Sequence, residues 1–207
     1  MLKEKTTDLI MVHAPAAEKK AVEEGWAIKR TLIGSNEFYI VGPAQDPARI
    51  AEAKSAAEAY TRIAKSGAKF LSRGDNSGTH KKELSVWKNA DIKPSGDWYI
   101  VTNTFMMATL KQADEIGGYF MTDSSTWVAA QKEMRNLTIL FRGDPMLINT
   151  YHALCQPGNA TLGQTFGSEF IDFVASEQGQ KIIRDFGRDQ HGSGLYNDAE
   201  YAKQYDH

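Results

Sequence analysis

"FLSRGDNSGTHKKE", residues 70–83, passes from an apolar pair, through arginine, serines and two glycines, into helix-forming residues. The order is that of a strand turning directly into a helix. Gly74 and Gly78 let the backbone turn and approach closely. Asn76 or Ser77 can cap the helix, whose first-turn N–H groups then point outward at the positive end of the dipole. Such a corner is an anion site even without fixed charge. The hydroxyls of Ser72, Ser77 and Thr79 add donors, and Arg73 adds a rigid fork of N–H groups suited to an oxyanion. The same residues also spell a plainly capped helix with a surface Arg73–Asp75 pair, and the pattern alone leaves both readings open.

The flanking sequence repeats the strand–helix rhythm. Residues 55–67 read as a helix, with Ser55 and Glu58 at capping-box spacing and Gly67 at its end. Strands at 68–72, 97–102, 119–121 and 137–143 alternate with helices at 77–89, 104–118 and 125–136. That alternation predicts an α/β fold with parallel-type sheets and helices on both faces. Leu9–Val12 reads as a short strand, followed by a helix with Pro15 in its first turn and Gly25 as its stop. Residues 166–187 read as two helices broken near Ser176, and the polar tail after Gly187 as loosely held. The strands at 36–43 and 149–157 flank the second α/β unit and read as crossing segments.

Two further corners resemble the first. Thr102, Asn103 and Thr104 precede one helix, and Asp123, Ser124, Ser125 and Thr126 open the next. On successive parallel strands, such corners converge on one rim. His13, at the end of the first strand, is placed to reach a cleft.

Composition bounds what else the chain does. It has 207 residues, 42% of them hydrophobic, with 24 Lys plus Arg against 26 Asp plus Glu. A net charge of −2 gives no general attraction to nucleic acid, so an anion site must be local. The single cysteine, Cys155, sits in the apolar phrase "HALC" and reads as a buried hydrophobe. No metal-ligand spacing, GxSxG or dinucleotide fingerprint is present. Ser77 and His80 lie on one helical turn with no third orienting group, so neither enzyme nor cofactor is expected. No signal-peptide pattern or spanning helix is visible.

The phrases "DLIMVHAPAAEKKAVEEG", "FLSRGDNSGTHKKELSVWK", "DWYIVTNTFMMATLKQADEIGGYFMTDSSTW" and "SEFIDFVASEQGQKIIRDFG" together resemble the tungstate-binding proteins of bacterial ABC transporters, from Thr7 to about Gly187. This resemblance implies a two-lobed, type II periplasmic-binding-protein-like fold. Residues 1–42 and 150–207 would form lobe I and residues 68–145 lobe II. It also implies capture in the periplasm of tungstate or molybdate for delivery to an ABC permease. The arginine of the family's SRGD phrase falls on Arg73, and its hydroxyl corner on Ser77, Gly78 and Thr79. The family's N-terminal Thr/Ser segment has no counterpart here, so lobe I is expected to be incomplete. Membrane contact is expected only through the permease, or through a lipid or signal segment that this sequence lacks. Thr104-Phe105-Met106-Met107 replaces a glycine-rich approach, and Ser124 stands where the family usually has arginine. These departures leave an alternative, a degenerate or truncated paralogue that binds another small ligand or a partner.

Overall fold

The computed structural model describes residues 1–158 and 161–206. In chain order the elements begin with β1 (Leu9–Val12), α1 (Pro15–Glu23), β2 (Ile28–Pro43), α2 (Ala56–Ser66), β3 (Phe70–Ser72) and α3 (Gly78–Asn89). They continue with β4 (Tyr99–Val101), α4 (Met106–Ile116), β5 (Tyr119–Asp123), α5 (Ser124–Ala130), β6 (Leu137–Phe141) and β7 (Ile148–Cys155). Last come α6 (Leu162–Ala175), α7 (Glu177–Asp185), α8 (Arg188–His191), β8 (Asn197–Asp198) and α9 (Ala199–Ala202). The chain divides into two compact units, Met1–Asn36 with Asn149–His207, and Glu37–Ile148. No helix among the described residues is long and apolar enough to cross a membrane.

In the Glu37–Ile148 unit, β3 lies between β4 and β5 and runs parallel to both. The second half of β2 runs against β5 on one edge and β6 on the other. The sheet is therefore mixed, where a parallel one was expected. Burial on both faces makes strands uniformly apolar whichever way they run, so the sequence pattern does not encode direction. Side chains alternate across the sheet. Phe70 and Tyr119 pack under Tyr60 of α2 and Trp87 of α3, while Leu71 and Phe120 pack under Leu110 of α4 and Trp127 of α5. The signals at helix ends are realised: Ser55 Oγ accepts the Glu58 amide, and Gly67 and Gly117 close their helices in the left-handed conformation. Helix α5 stops at Ala130, short of the expected 136.

In the other unit, β7 lies between β1 and the first half of β2. Leu9, Ala153 and Cys155 face Ile171 and Val174 of α6. Ile10, Val12 and Leu154 face Ala21 of α1. Cys155 is fully buried, and burial raises its thiol pKa. The break between α6 and α7 falls on Ser176, whose Oγ caps α7 through the Gly179 amide. A Cβ on Gly179 would lie 2.2 Å from the Phe173 carbonyl, so only glycine allows this junction.

Two expectations fail in this unit. Strand β2 begins at Ile28, eight residues before the expected start at 36, because Lys29, Arg30 and Thr31 hide it from an apolar count. The tail after Gly187 is docked. β8 pairs with Gly34 and Ser35, and Tyr196 packs edge-on against Tyr151. Asp206 reaches a buried ionic cluster: its Oδ1 accepts from Arg30 at 3.0 Å, and its Oδ2 lies 3.1 Å from His152 Nε2. On the other side of the histidine, Glu18 Oε2 lies 3.0 Å from Nδ1 and accepts from Arg30 Nε at 3.1 Å.

Burial pushes the Glu18 carboxyl up, but hydrogen bonds from His152 and the Ala14 amide and the charges of His152 and Arg30 outweigh it and leave it below its ordinary value. Asp206 is lowered likewise, burial being outweighed by Arg30 and His152. Folded-state values below the unfolded ones mean that this stabilisation is present above about pH 4 and lost as pH falls through the folded values. Glu18→Ala leaves the largely buried Arg30 guanidinium with one of its two carboxylate partners and is expected to cost about 3 kcal/mol. Urea unfolding should show that loss at neutral pH and a smaller one below about pH 4. An equal loss at both would contradict the assignment.

Candidate functional site

Strands β3, β4 and β5 each end where a helix begins, so α3, α4 and α5 start along one rim of their sheet. After Ser72 the chain turns through Gly74, at φ +65°, and Asn76, at φ +58°. A Cβ on Gly74 would lie 2.2 Å from Val101 Cγ1, so the turn against β4 needs glycine twice over, for its dihedral and for its space. Asp75 folds back over the corner. Its Oδ1 accepts the Ser77 amide at 3.1 Å and its Oδ2 accepts Arg73 Nη2 at 2.5 Å. Burial pushes the Asp75 carboxyl up, but Ser77 and Arg73 outweigh it and hold it below its ordinary value. Ser77 Oγ accepts the His80 amide at 3.3 Å, and His80 Nδ1 in turn accepts the Asn76 amide. Among the hydrogen bonds of the described residues, none uses the amides of Gly78 and Thr79 at the start of α3, as expected for a helical first turn.

Arg73 is the group of this corner that is not fully committed. Its side chain is 11% exposed, and its Nε is buried without a hydrogen-bond partner. A buried unpartnered donor is costly, and here it belongs to a charged fork whose other arm already holds a carboxylate.

The second corner is tied to the first. The Thr102 amide and Oγ1 both donate to the Ser72 carbonyl, at 2.9 and 3.1 Å. Thr102, Thr104 and Thr109 bring their hydroxyls together, Thr109 Oγ1 lying 2.9 Å from Thr102 and 3.0 Å from Thr104. Helix α4 begins after Phe105 with no side-chain cap. Thr109 joins this cluster without having been singled out in the sequence, as Thr102 and Thr104 were. The available signal was a threonine one turn into an otherwise apolar helix face.

Two of the hydroxyls expected as ligand donors are turned elsewhere in this structure. Ser125 Oγ donates to Asp123 Oδ1, which also accepts the Thr126 amide at 2.8 Å, while Asp123 Oδ2 accepts Thr126 Oγ1 at 2.7 Å. The third corner caps itself with a carboxylate and has no donor left on Ser125. Ser72 is fully buried, because strand alternation turns its side chain to the α3 face of the sheet. Its Oγ approaches Glu83 and Tyr99 closely enough to influence both, without meeting hydrogen-bond geometry. Burial pushes the Glu83 carboxyl up to about 7, against hydrogen bonds from Tyr99 Oη and Trp87 Nε1 and the nearby Ser72 hydroxyl.

His13 lies in the other unit, exposed, with its ring 5.3 Å from that of Tyr151. An open cavity of about 410 Å³ in that unit is lined by Met11, Ile33, Tyr151, Ile183, Phe186 and Tyr196, among others. It is apolar and has no donor set for an anion. No group of three or more His, Cys, Asp or Glu among the described residues is arranged to hold a metal ion.

The model of the PBP superfamily domain matches residues 1–178. A Haloferax volcanii protein assigned to ABC-transporter anion binding is 37% identical over 186 residues, which is 86% of this chain and 54% of that protein. The chain thus spans about half the length of that relative. The tungstate-binding protein TupA of Peptoclostridium acidaminophilum is 33% identical over 202 residues, covering 95% of this chain and 70% of its own length. The solved structure of the tungstate-binding protein TupA from Desulfovibrio alaskensis G20 is 38% identical, with a TM-score of 0.83, over 96% of this chain and 81% of that one.

The geometry of the first corner predicts that Gly74→Ala destabilises the protein by about 1–3 kcal/mol, from a left-handed dihedral and a clash with Val101. Thermal or urea unfolding of the variant measures this. Unchanged stability would mean that the turn does not need its glycine.

Proposed function

The chain belongs to the PBP superfamily and, within it, to the family of the tungstate-binding proteins, and from that premise we propose that it is an extracytoplasmic binding protein for a tetrahedral oxyanion, tungstate or molybdate, which it delivers to an ABC permease. Its fold is the α/β, PBP-like type II fold, with a mixed sheet and flanking helices. The proposal takes residues 1–42 and 150–207 as one lobe and 68–145 as the other, with crossing segments near 36–43 and 149–157.

The observation that carries the reading is Arg73, a nearly buried guanidinium with an unpartnered Nε beside the open amides of α3. An oxyanion leaving water loses strong hydrogen bonds, and only a site that replaces them with charged or preorganised donors binds it well. In this proposal the donors are Arg73, the amides of Gly78 and Thr79, and the hydroxyls of Ser77 and Thr104. Ser72 and Ser125 are left out, because their hydroxyls are turned to the core and to Asp123. The paired Asp75 holds the guanidinium in place when no anion is bound.

Calorimetric titration with tungstate, molybdate and sulfate tests this reading. Arg73→Ala is expected to weaken dianion binding about 100-fold, the loss of two charged hydrogen bonds. Thr104→Val should weaken it by about 10-fold or less. Unchanged affinity in Arg73→Ala would remove the site. Failure of the parent protein to bind any of the three would favour a paralogue with another ligand, in which Asp75 keeps Arg73 neutralised.

A further inference from the structure

Glu83 is buried on the inner face of α3, one turn beyond Thr79. Trp87 Nε1 donates to its Oε1 at 3.2 Å, and Tyr99 Oη donates to the same oxygen at 2.7 Å. The groups that face it are Tyr60 of α2, Ser72 of β3, Tyr99 of β4 and Trp87 of α3, and none of them carries positive charge. The nearby cations are engaged elsewhere. Lys82 Nζ donates to the Met146 carbonyl, and Arg73 is paired with Asp75. Tyr119 of β5 turns its hydroxyl to Asp46.

A buried carboxylate with no cation is costly, and such a group takes a proton instead. The surroundings suit the neutral acid. Both neutral donors meet at Oε1, which leaves Oε2 for the proton. Ser72 Oγ, close by, is a buried oxygen without a hydrogen-bond partner. The acid has a donor to offer in this setting, where the carboxylate has none. Burial accordingly holds the carboxyl at about 7, within the range where small changes in its surroundings decide its charge.

The anion corner lies at the start of the same helix. Glu83 follows Thr79 by four residues, roughly 6 Å along the helix axis. A dianion held there is a like charge to ionised Glu83, and neutral Glu83 presents no such charge. We propose that Glu83 is a proton-binding site linked to the oxyanion corner, so that the protein takes up a proton as it takes up the dianion. This inference rests on the oxyanion reading of the Arg73 corner. The link is reciprocal: the anion holds the proton on Glu83, and loss of the proton weakens the anion's hold. Affinity is therefore full below about pH 7 and falls as pH rises, about 10-fold for a one-unit displacement of the carboxyl. Tungstate and molybdate stay doubly charged across this range, so the proton belongs to the protein.

Calorimetric titration with tungstate and molybdate from about pH 6 to 9, in buffers of different ionisation heat, counts the protons exchanged. The parent is expected to take up about 0.4 proton per anion at Glu83 near pH 8 and to lose about 10-fold in affinity across the range. Glu83→Gln keeps an acceptor for Tyr99 and Trp87 and imitates the neutral acid. It should lose that uptake and that loss of affinity. Exchange by His80, at the same corner, persists in both proteins and cancels in the comparison. The assigned Trp87 indole N–H resonance reports on Glu83 directly. It should titrate near pH 7 without anion and at higher pH with it. Tyr99→Phe, which removes a donor to the carboxylate, should also raise that midpoint. These midpoints decide the matter if Glu83→Gln does not fold. Equal proton exchange in the parent and Glu83→Gln, or an indole midpoint that bound anion does not move, overturns the proposal and leaves the corner standing. A parent that binds neither anion overturns it together with the reading of the corner.

Discussion

A helix that starts at the end of a strand has first-turn amides that its own backbone cannot satisfy. Three such starts lie along one rim of the Glu37–Ile148 unit, and each meets the problem differently. Helix α5 takes a carboxylate, Asp123, which accepts one amide and two hydroxyls. Helix α4 has no side-chain cap and a hydroxyl cluster beside it. Helix α3 is half-satisfied: Ser77 and Asp75 each take one amide, and those of Gly78 and Thr79 stay open. An anion-binding reading of this rim rests on that unequal treatment.

Charge follows the same division. The corner with the open amides has Arg73, and its compensating carboxylate, Asp75, is two residues away on the same turn. A local pair of this kind keeps the guanidinium ordered and the site close to neutral, which spares it from collecting every passing counter-ion. The corner with the internal carboxylate repels dianions and has spent its hydroxyls. Thr102 couples the first two corners through the Ser72 carbonyl. The ends of β3 and β4 are thereby tied to each other at the Ser72 carbonyl.

Local features were legible in the sequence, and distant ones were not. Ser55, Gly67, Ser77, Gly117 and the break at Ser176 announce themselves through residue types that act within a few positions of their own backbone. Strand direction left no mark, because β2, which runs antiparallel to β5, is as apolar between 38 and 41 as the mutually parallel strands β3 and β5. The tail looked loose because its anchors, Arg30 and His152, lie far from Asp206 along the chain. At the site, Arg73 and the start of α3 could be located from the phrase SRGDNSGT. The orientation of Ser72 depends on strand parity, and that of Ser125 on a competing carboxylate two residues away. Neither is visible in a count of hydroxyl residues.

The most direct measurement is anomalous diffraction at the tungsten edge from crystals of the protein grown with tungstate. The account places a single strong peak within hydrogen-bonding reach of the Arg73 guanidinium and the amides of Gly78 and Thr79. Density at that corner with no metal signal, or a peak held by other residues while Arg73 stays bound to Asp75, would contradict it.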